Sequence, residues 1–130
     1  MGSNPKASRK RHVLIVDDDA GLAQFFADLL KLHGYDTTVE SDAALALKHA
    51  LLHTVDAVIC DLHMPKVDGD LFYATVERTN PRLAQRFIFV TGVADEDRFR
   101  KFISTVEAPV LRKPVPMDQL VSQVNLIANQ

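Results

Sequence analysis

The feature that most constrains the fold is an apolar run that ends in a single carboxylate and a turn. Residues 57–60 are all apolar, Asp61 follows them, and the segment from Pro65 to Gly69 is rich in turn-forming residues. A short apolar run bounded by turn residues is typical of a buried parallel strand. Ligands bind beyond the carboxyl ends of strands in open α/β sheets. Asp61 is therefore the predicted reactive residue.

Four more strand-like runs alternate with helical patterns along the chain. They lie at 13–16, 35–40, 87–90 and 110–111, and a helical pattern follows every strand. Short connections between alternating strands and helices indicate a parallel sheet with right-handed crossovers and helices on both faces. We predict a flavodoxin-like, doubly wound α/β fold, a (βα)5 sandwich with a five-stranded parallel sheet of order 2-1-3-4-5. Asp17, Asp18 and Asp61 then meet at one crevice.

The helices carry stripes of apolar residues and candidate capping residues. Asp19 and Asp42 are expected to cap the first two helices, Asp68 opens the third, and Pro116 opens the fifth. The fourth helix is expected over 95–106, with its charged residues on a solvated face. The Leu and Phe stripes are assigned to the core.

Composition and charge exclude several classes of protein. The 130 residues are 47% hydrophobic and 25% charged, with a formal net charge of -2, as expected for one globular domain. The apolar runs are too short to span a bilayer, and the charge gives no reason to expect nucleic acid as a partner. Cys60 cannot form an internal disulfide and is expected to be a small buried hydrophobe. We expect a cytoplasmic protein without membrane contact.

The first residues differ from the rest of the chain. Residues 1–10 lack a hydrophobic period and concentrate basic side chains. They are interpreted as a disordered linker or an expression-derived tail in preference to a nucleic-acid-binding arm. The folded domain is expected at 11–130.

The predicted crevice suggests phosphoryl chemistry. Three carboxylates in one place repel each other unless a cation neutralises them, and Mg²⁺ is a hard cation that takes oxygen ligands. In this setting Asp61 can act as a carboxylate nucleophile toward a phosphoryl group. Thr91 and Lys113, at the ends of the fourth and fifth strands, offer donors for the phosphoryl oxygens.

Together these residues resemble a response-regulator receiver domain of two-component signalling. The resemblance extends from about Arg11 to Asn129 and rests on Asp17-Asp18, Asp61-Leu62, Met64-Pro65, Asp68-Gly69, Thr91-Gly92 and Lys113-Pro114. It implies that Asp61 accepts a phosphoryl group from a phosphohistidine of a sensor histidine kinase or a histidine phosphotransfer domain. The domain would be a signalling module and not an enzyme, and a downstream protein would read its phosphorylated state.

The resemblance also implies roles for individual residues. Mg²⁺ would be held by Asp17, Asp18, Asp61 and the backbone carbonyl of His63. Thr91 and Lys113 would hold the phosphoryl group, and the face made by the fourth helix, fifth strand and fifth helix would switch. The Lys113–Pro114 bond is expected to be cis, as in many family members. Monomer and weak homodimer both remain open.

Some positions depart from the family pattern. Val110 stands where many receivers carry the aromatic ring of their switch. His63 and Val93 lie where the family tunes loss of the phosphoryl group, and Val93 cannot position a hydrolytic water. We therefore predict slow self-dephosphorylation. The segments 87–92 and 108–114 are similar to those of receivers fused behind hybrid sensor kinases.

Three other interpretations fit parts of the sequence. The Asp17-Asp18-Asp19 run also fits a haloacid-dehalogenase-type phosphohydrolase, which further needs an acidic pair after its fourth strand. A receiver-like scaffold that is never phosphorylated would not need the full set of site residues. His49 and His53 have the spacing of a helical metal site, but without a third ligand they are expected to be exposed.

Overall fold

Five parallel strands form the centre of the structure, a computed structural model that describes residues 9–130 apart from the side chain of Val93. The strands are β1 (His12–Val16), β2 (Asp36–Glu40), β3 (Ala57–Asp61), β4 (Phe87–Thr91) and β5 (Val110–Arg112). They are ordered β2-β1-β3-β4-β5, and every neighbouring pair is parallel. The predicted fold and strand order are confirmed. Residues 1–8 of the predicted tail lie outside the described residues, and its boundary stays a prediction.

Five helices connect or follow the strands. They are α1 (Ala20–Leu32), α2 (Ala43–Leu52), α3 (Gly69–Thr79), α4 (Arg100–Thr105) and α5 (Met117–Ala128). The side chain of Asp19 accepts a hydrogen bond from the Leu22 N–H at 3.1 Å, and Asp42 accepts one from Leu45 at 2.9 Å. Both caps are as predicted, because these carboxylates satisfy N–H groups that lack a partner within the helix.

Two apolar layers bury the sheet. Phe26 and Leu30 of α1 pack with residues of α5 on one face. Phe72 of α3 packs on the other face, together with Phe87 and Phe89 of β4. All residues of β3 and β4 are buried, including Cys60 and Asp61. Because β3 lies in the middle of the sheet, its last residue is held between two well-packed neighbours.

The fourth helix is shorter than predicted. A 3-10 turn occupies Val93–Asp95, and α4 begins only at Arg100. The predicted start at Asp95 is therefore wrong. The segment before α4 buries the ring of Phe99, which is 4% exposed, and its charged side chains pair with neighbouring loops. These tertiary contacts compete with the regular helix that the pattern predicts. The structure also contains a short helix, Pro81–Ala84, that was not predicted.

The assignment of every Leu and Phe stripe to the core is partly wrong. Six of these side chains are 46–85% exposed: Phe25, Leu32, Leu45, Leu51, Leu71 and Leu126. Each helix presents only one side to the sheet, so an apolar residue on the opposite side remains exposed. His53 is exposed as expected, whereas His49 is half-buried. The centroid of the His49 ring lies 4.4 Å from the centroid of the His53 ring and 5.1 Å from that of the His12 ring.

A buried carboxylate connects the amino-terminal ends of β1 and β3. Asp56 is fully buried, and the guanidinium of Arg9 donates two hydrogen bonds to it at 3.0 and 3.1 Å. The backbone N–H of His12 donates a third at 2.8 Å. Burial alone would raise the pKa of Asp56, but these bonds outweigh it and lower the pKa.

Candidate functional site

Three carboxylates meet where β1 and β3 end. β1 and β3 are neighbours in the sheet, so their carboxyl ends lie side by side. One oxygen each from Asp17, Asp18 and Asp61 lies within 4.8 Å of the other two. Within residues 9–130 no other group of three His, Cys, Asp or Glu side chains converges in this way. The predicted acidic cluster is present, and its all-oxygen donor set suits a hard divalent cation.

Backbone groups fix two of these carboxylates. Asp17 Oδ1 accepts a hydrogen bond from the Asp19 N–H at 2.9 Å, and Asp61 Oδ1 accepts one from the His63 N–H at 3.3 Å. Asp17 and Asp61 are 3% and 5% exposed, whereas Asp18 is exposed. The cluster therefore has two buried, oriented members and one that faces solvent.

Lys113 is the cation that the structure places at the cluster. Its Nζ lies 3.2 Å from Asp61 Oδ2 and 3.7 Å from Asp17 Oδ2. Its backbone N–H donates to the carbonyl of Thr91 at 2.9 Å, which holds the end of β5 against β4. The Lys113–Pro114 bond is cis, as predicted. The ammonium group thus reaches the cluster from the strand beyond β4.

Thr91 completes the set of predicted site residues. It is the last residue of β4 and is 1% exposed. Its hydroxyl donates to the neighbouring Gly92 carbonyl at a long 3.4 Å. A hydroxyl with so weak a bond can turn to a better acceptor at low energetic cost.

Burial and mutual repulsion raise the proton affinity of the buried carboxylates. The pKa of Asp17 is raised to about 6, mainly by burial and further by the charge of Asp61. Burial also raises the pKa of Asp61, although Lys113 opposes the shift. Burial alone would lower the pKa of Lys113, but the charges of Asp17 and Asp61 outweigh it and raise the pKa. The cluster would gain from a further positive charge.

The acceptor cavity, a space of about 330 Å³, opens over this cluster. Its walls include Asp18, Asp61, His63, Asp95 and Lys113. Asp95 was not among the predicted site residues, because the predicted helix placed it on a solvated face. No local sequence signal distinguishes it, since its position results from how the β4–α4 segment folds back across the cavity.

The residues beyond β4 concern two points raised by the sequence: the haloacid-dehalogenase interpretation and the aromatic ring that many receivers use as a switch. The haloacid-dehalogenase interpretation needs an acidic pair after the fourth strand, but Gly92, Val93 and Ala94 follow β4, and the next carboxylates, Asp95 and Glu96, pair with His63 and Arg112. Val110, at the start of β5, pairs with Phe89 of β4 and carries no ring. The side chain of Val93 lies outside the described part of the chain, so the prediction of slow self-dephosphorylation stays a prediction.

A larger cavity lies away from the carboxylates. It measures about 570 Å³ and lies between α1 and α5, where Leu29, Met117 and Val121 contribute its walls. It contains none of the predicted site residues. The charged side chains of the predicted site converge instead at the smaller acceptor cavity.

Solved structures with similar folds include receiver domains. A signal receiver domain of an HD domain-containing protein from Pseudomonas fluorescens Pf-5 matches with a TM-score of 0.82 and 27% identity, covering 93% of this chain and 96% of that one. A response regulator receiver domain from Clostridium thermocellum gives 0.80 and 26%, covering 92% and 94%.

Sequence comparisons agree with the structural ones. The chain is 31% identical over 116 residues to the sensor kinase CckA of Brucella abortus, covering 86% of this chain and 12% of that protein. It is 29% identical to the transcriptional regulatory protein PdtaR of Mycobacterium tuberculosis, covering 95% and 60%. The chain thus spans less than two thirds of the length of these relatives. No helix within the described residues is long and apolar enough to cross a membrane. The profile of the response regulator receiver domain matches residues 13–125, so the chain belongs to this family of two-component signalling domains.

Proposed function

We propose that this receiver domain accepts a phosphoryl group on Asp61 in a two-component phosphorelay. The donor is a phosphohistidine of a sensor histidine kinase or of a histidine phosphotransfer domain. The observation that carries the proposal is the contact of Lys113 Nζ with Asp61 Oδ2 at 3.2 Å, beside the carboxylates of Asp17 and Asp18. A nucleophile, a cation for the phosphoryl oxygens and a set of metal ligands thus share one cavity.

The transfer is a displacement at phosphorus. A carboxylate oxygen of Asp61 forms the new P–O bond while the P–N bond to the donor imidazole breaks. The electron pair of that bond stays on the imidazole nitrogen, which then takes up a proton. Lys113 balances the negative charge of the phosphoryl oxygens, and the Thr91 hydroxyl turns from its weak bond to Gly92 to donate to them.

The residues present fit a Mg²⁺ ion. Asp17, Asp18, Asp61 and the backbone carbonyl of His63 would hold it, because all are oxygen donors and the carboxylates already converge. When bound, Mg²⁺ screens the repulsion between the Asp61 carboxylate and the incoming phosphoryl oxygens. Burial and the charge of Asp61 raise the pKa of Asp17 to about 6, and a cation held at the cluster would favour its ionised form.

The output is proposed to lie on the face made by α4, β5 and α5. Lys113 follows β5, and Thr91 ends the strand next to it, so groups that bind the phosphoryl oxygens are attached to this face. A downstream protein would read the change. The cytoplasmic location, the monomer or weak homodimer, and the fusion to a hybrid kinase stay predictions from the sequence.

Incubation with acetyl phosphate and Mg²⁺ tests the proposed function. Intact-mass measurement should show one phosphoryl adduct, and peptide mapping should locate it on Asp61. Adding EDTA should prevent the adduct, because the Asp61 carboxylate would then face the phosphoryl oxygens without a metal. An adduct on another residue, or steady release of phosphate from a monoester without an adduct, would contradict the proposal. No adduct despite bound Mg²⁺ would favour the scaffold interpretation.

Metal-dependent stability should change with pH. The pKa of Asp17 is about 6 in the folded protein, above the ordinary value of 3.8, so protonation of Asp17 favours the folded state. This stabilisation is fully present below the unfolded pKa. That stability is lost as the pH rises through about 6. Without metal, the cluster therefore destabilises the fold at pH 7.5. Mg²⁺ binds the ionised carboxylates, so its stabilising effect should be larger at pH 7.5 than at pH 5.

Thermal unfolding with and without Mg²⁺, at roughly 100 times the dissociation constant found by titration, measures this difference. At that excess we expect a gain of about 2–3 kcal/mol at pH 7.5 and much less at pH 5. His12 and His49, whose pKa values burial lowers, change stability in the opposite direction over this range. They contribute equally with and without metal, so they cancel in the comparison. An Asp17→Asn variant should lose most of the gain, and an equal gain at both pH values would contradict the prediction.

A further inference from the structure

The β4–α4 segment, residues 92–99, is held by contacts to the loop between β3 and α3. Asp95 Oδ1 lies 3.1 Å from Nδ1 of His63, and Arg98 forms a salt bridge with Asp68. His63 and Asp68 are both in the β3–α3 loop. We name these two contacts the loop clamp. Together they attach the segment before α4 to the loop that follows β3, the strand that ends at Asp61.

The clamp lies at the rim of the acceptor cavity. His63 and Asp95 are wall residues of that cavity, together with Asp61 and Lys113. The Asp95 carboxylate is 27% exposed and the His63 side chain is 53% exposed. A negative charge added inside the cavity would therefore act on both partners of the His63–Asp95 contact.

We propose that phosphorylation breaks the His63–Asp95 contact of the loop clamp through its charge, a step that rests on the proposed function of Asp61. Phosphorylation replaces the singly charged carboxylate of Asp61 by an acyl phosphate with roughly two negative charges, and these charges lie on oxygens inside the cavity. The Asp95 carboxylate is repelled by them, whereas the His63 imidazole has an N–H to donate in either charge state. His63 exchanges Asp95 for a phosphoryl oxygen, and the segment before α4 loses one of its two attachments to the β3–α3 loop.

The segment before α4 and α4 itself have few buried contacts that would hold them in place after such a loss. α4 has six residues, none of them buried, and its N-cap makes no side-chain capping bond. The buried ring of Phe99 anchors the segment, with the Arg98 guanidinium 5.1 Å from its centre, and the half-buried Phe102 and Ile103 of α4 pack against the apolar layer below. Elements with few buried contacts open at low free-energy cost. Charge can therefore move this segment without an aromatic ring at Val110.

Two variants of neighbouring aspartates separate the clamp from general charge effects. Asp95→Asn weakens the contact with His63 and removes the negative charge from the cavity rim. Asp97→Asn removes the same charge from the same segment, but Asp97 is 87% exposed and forms a salt bridge with Arg100 of α4 instead of a contact with the β3–α3 loop. Asp97→Asn is therefore the matched control.

Backbone-amide NMR spectra with and without beryllofluoride and Mg²⁺ are the test. In the wild-type chain, beryllofluoride should shift the signals of residues 93–99 and of α4. Asp95→Asn without beryllofluoride should already be displaced along the same direction, while Asp97→Asn should coincide with the wild type. Asp95→Asn should also take up phosphoryl from acetyl phosphate about threefold faster, as expected for removal of one screened charge near the donor.

The possible outcomes distinguish this inference from the function on which it rests. If the wild type forms the adduct and responds to beryllofluoride, but Asp95→Asn and Asp97→Asn behave alike, the clamp is refuted and the receiver function stands. If the wild type forms no adduct and gives no response, the proposed function itself fails, and the clamp fails with it.

Discussion

An Asp61→Asn variant should form no phosphoryl adduct with acetyl phosphate, and without metal it should unfold at a higher temperature than the wild type. Adduct formation needs the carboxylate as nucleophile, and an amide cannot replace it. The stability should rise because the fold disfavours the charge of Asp61: burial raises its pKa in spite of Lys113. Activity and stability thus change in opposite directions at one residue.

The two effects are measured by intact mass and by thermal unfolding at pH 7.5 in EDTA. We expect complete loss of the adduct and a gain of about 1 kcal/mol, roughly 4 °C for a domain of this size. The control is Asp19→Asn, in the same acidic run, since asparagine caps a helix as well as aspartate does. It should leave both quantities near those of the wild type. An adduct on Asp61→Asn would assign the acceptor to another residue.

The site residues could be predicted because each one ends a strand or follows it. A parallel sheet brings the carboxyl ends of its strands to one edge, so Asp17, Asp61 and Thr91 needed only a correct strand order to be placed together. Lys113 follows the same rule on β5. The structure confirms the predicted strand order and brings the side chains of Asp17, Asp61 and Lys113 close together, while Thr91 ends the neighbouring strand β4.

The contacts across the cavity rim could not be predicted in this way. Asp95 lies in a segment whose charged residues match a solvated helix. Hydrophobic periodicity predicts helices and strands, but it does not predict that the β4–α4 segment contacts the β3–α3 loop. The shortened α4 has the same origin, because burial of Phe99 and the salt bridge of Arg98 act between segments distant in sequence. Local propensity is a weak guide wherever such tertiary contacts compete with it.

Gly69 is predicted as a turn residue and belongs to the Asp68-Gly69 motif, yet its position is more restricted than a turn requires. A Cβ atom there would lie 2.4 Å from the carbonyl oxygen of Asp61 and 3.0 Å from both Cys60 Sγ and Leu62 Cα. The nearest of these atoms belongs to the backbone, so no side-chain rotation relieves the contact. The Gly69 N–H also donates to the Leu62 carbonyl at 2.8 Å, which fixes the start of α3 against the end of β3.

Gly69→Ala should therefore destabilise the fold and displace the acceptor. We expect the free energy of unfolding to fall by about 1–3 kcal/mol, as for other overpacked buried sites. Urea denaturation measures this loss. In the protein that remains folded, uptake from acetyl phosphate should be slower, because either β3 must shift at Asp61 or α3 must move away from it.

Gly21→Ala is the control for this prediction. Gly21 lies in α1, where an added Cβ would meet its nearest atom, Asp19 Oδ1, at an ordinary 3.7 Å. Alanine favours the helix there, so this variant should be as stable as the wild type or slightly more stable. Equal stability of Gly69→Ala and the wild type would show that α3 can move freely from β3. A large loss would instead mean that glycine after Asp68 is required by the close approach of α3 to the backbone that carries Asp61.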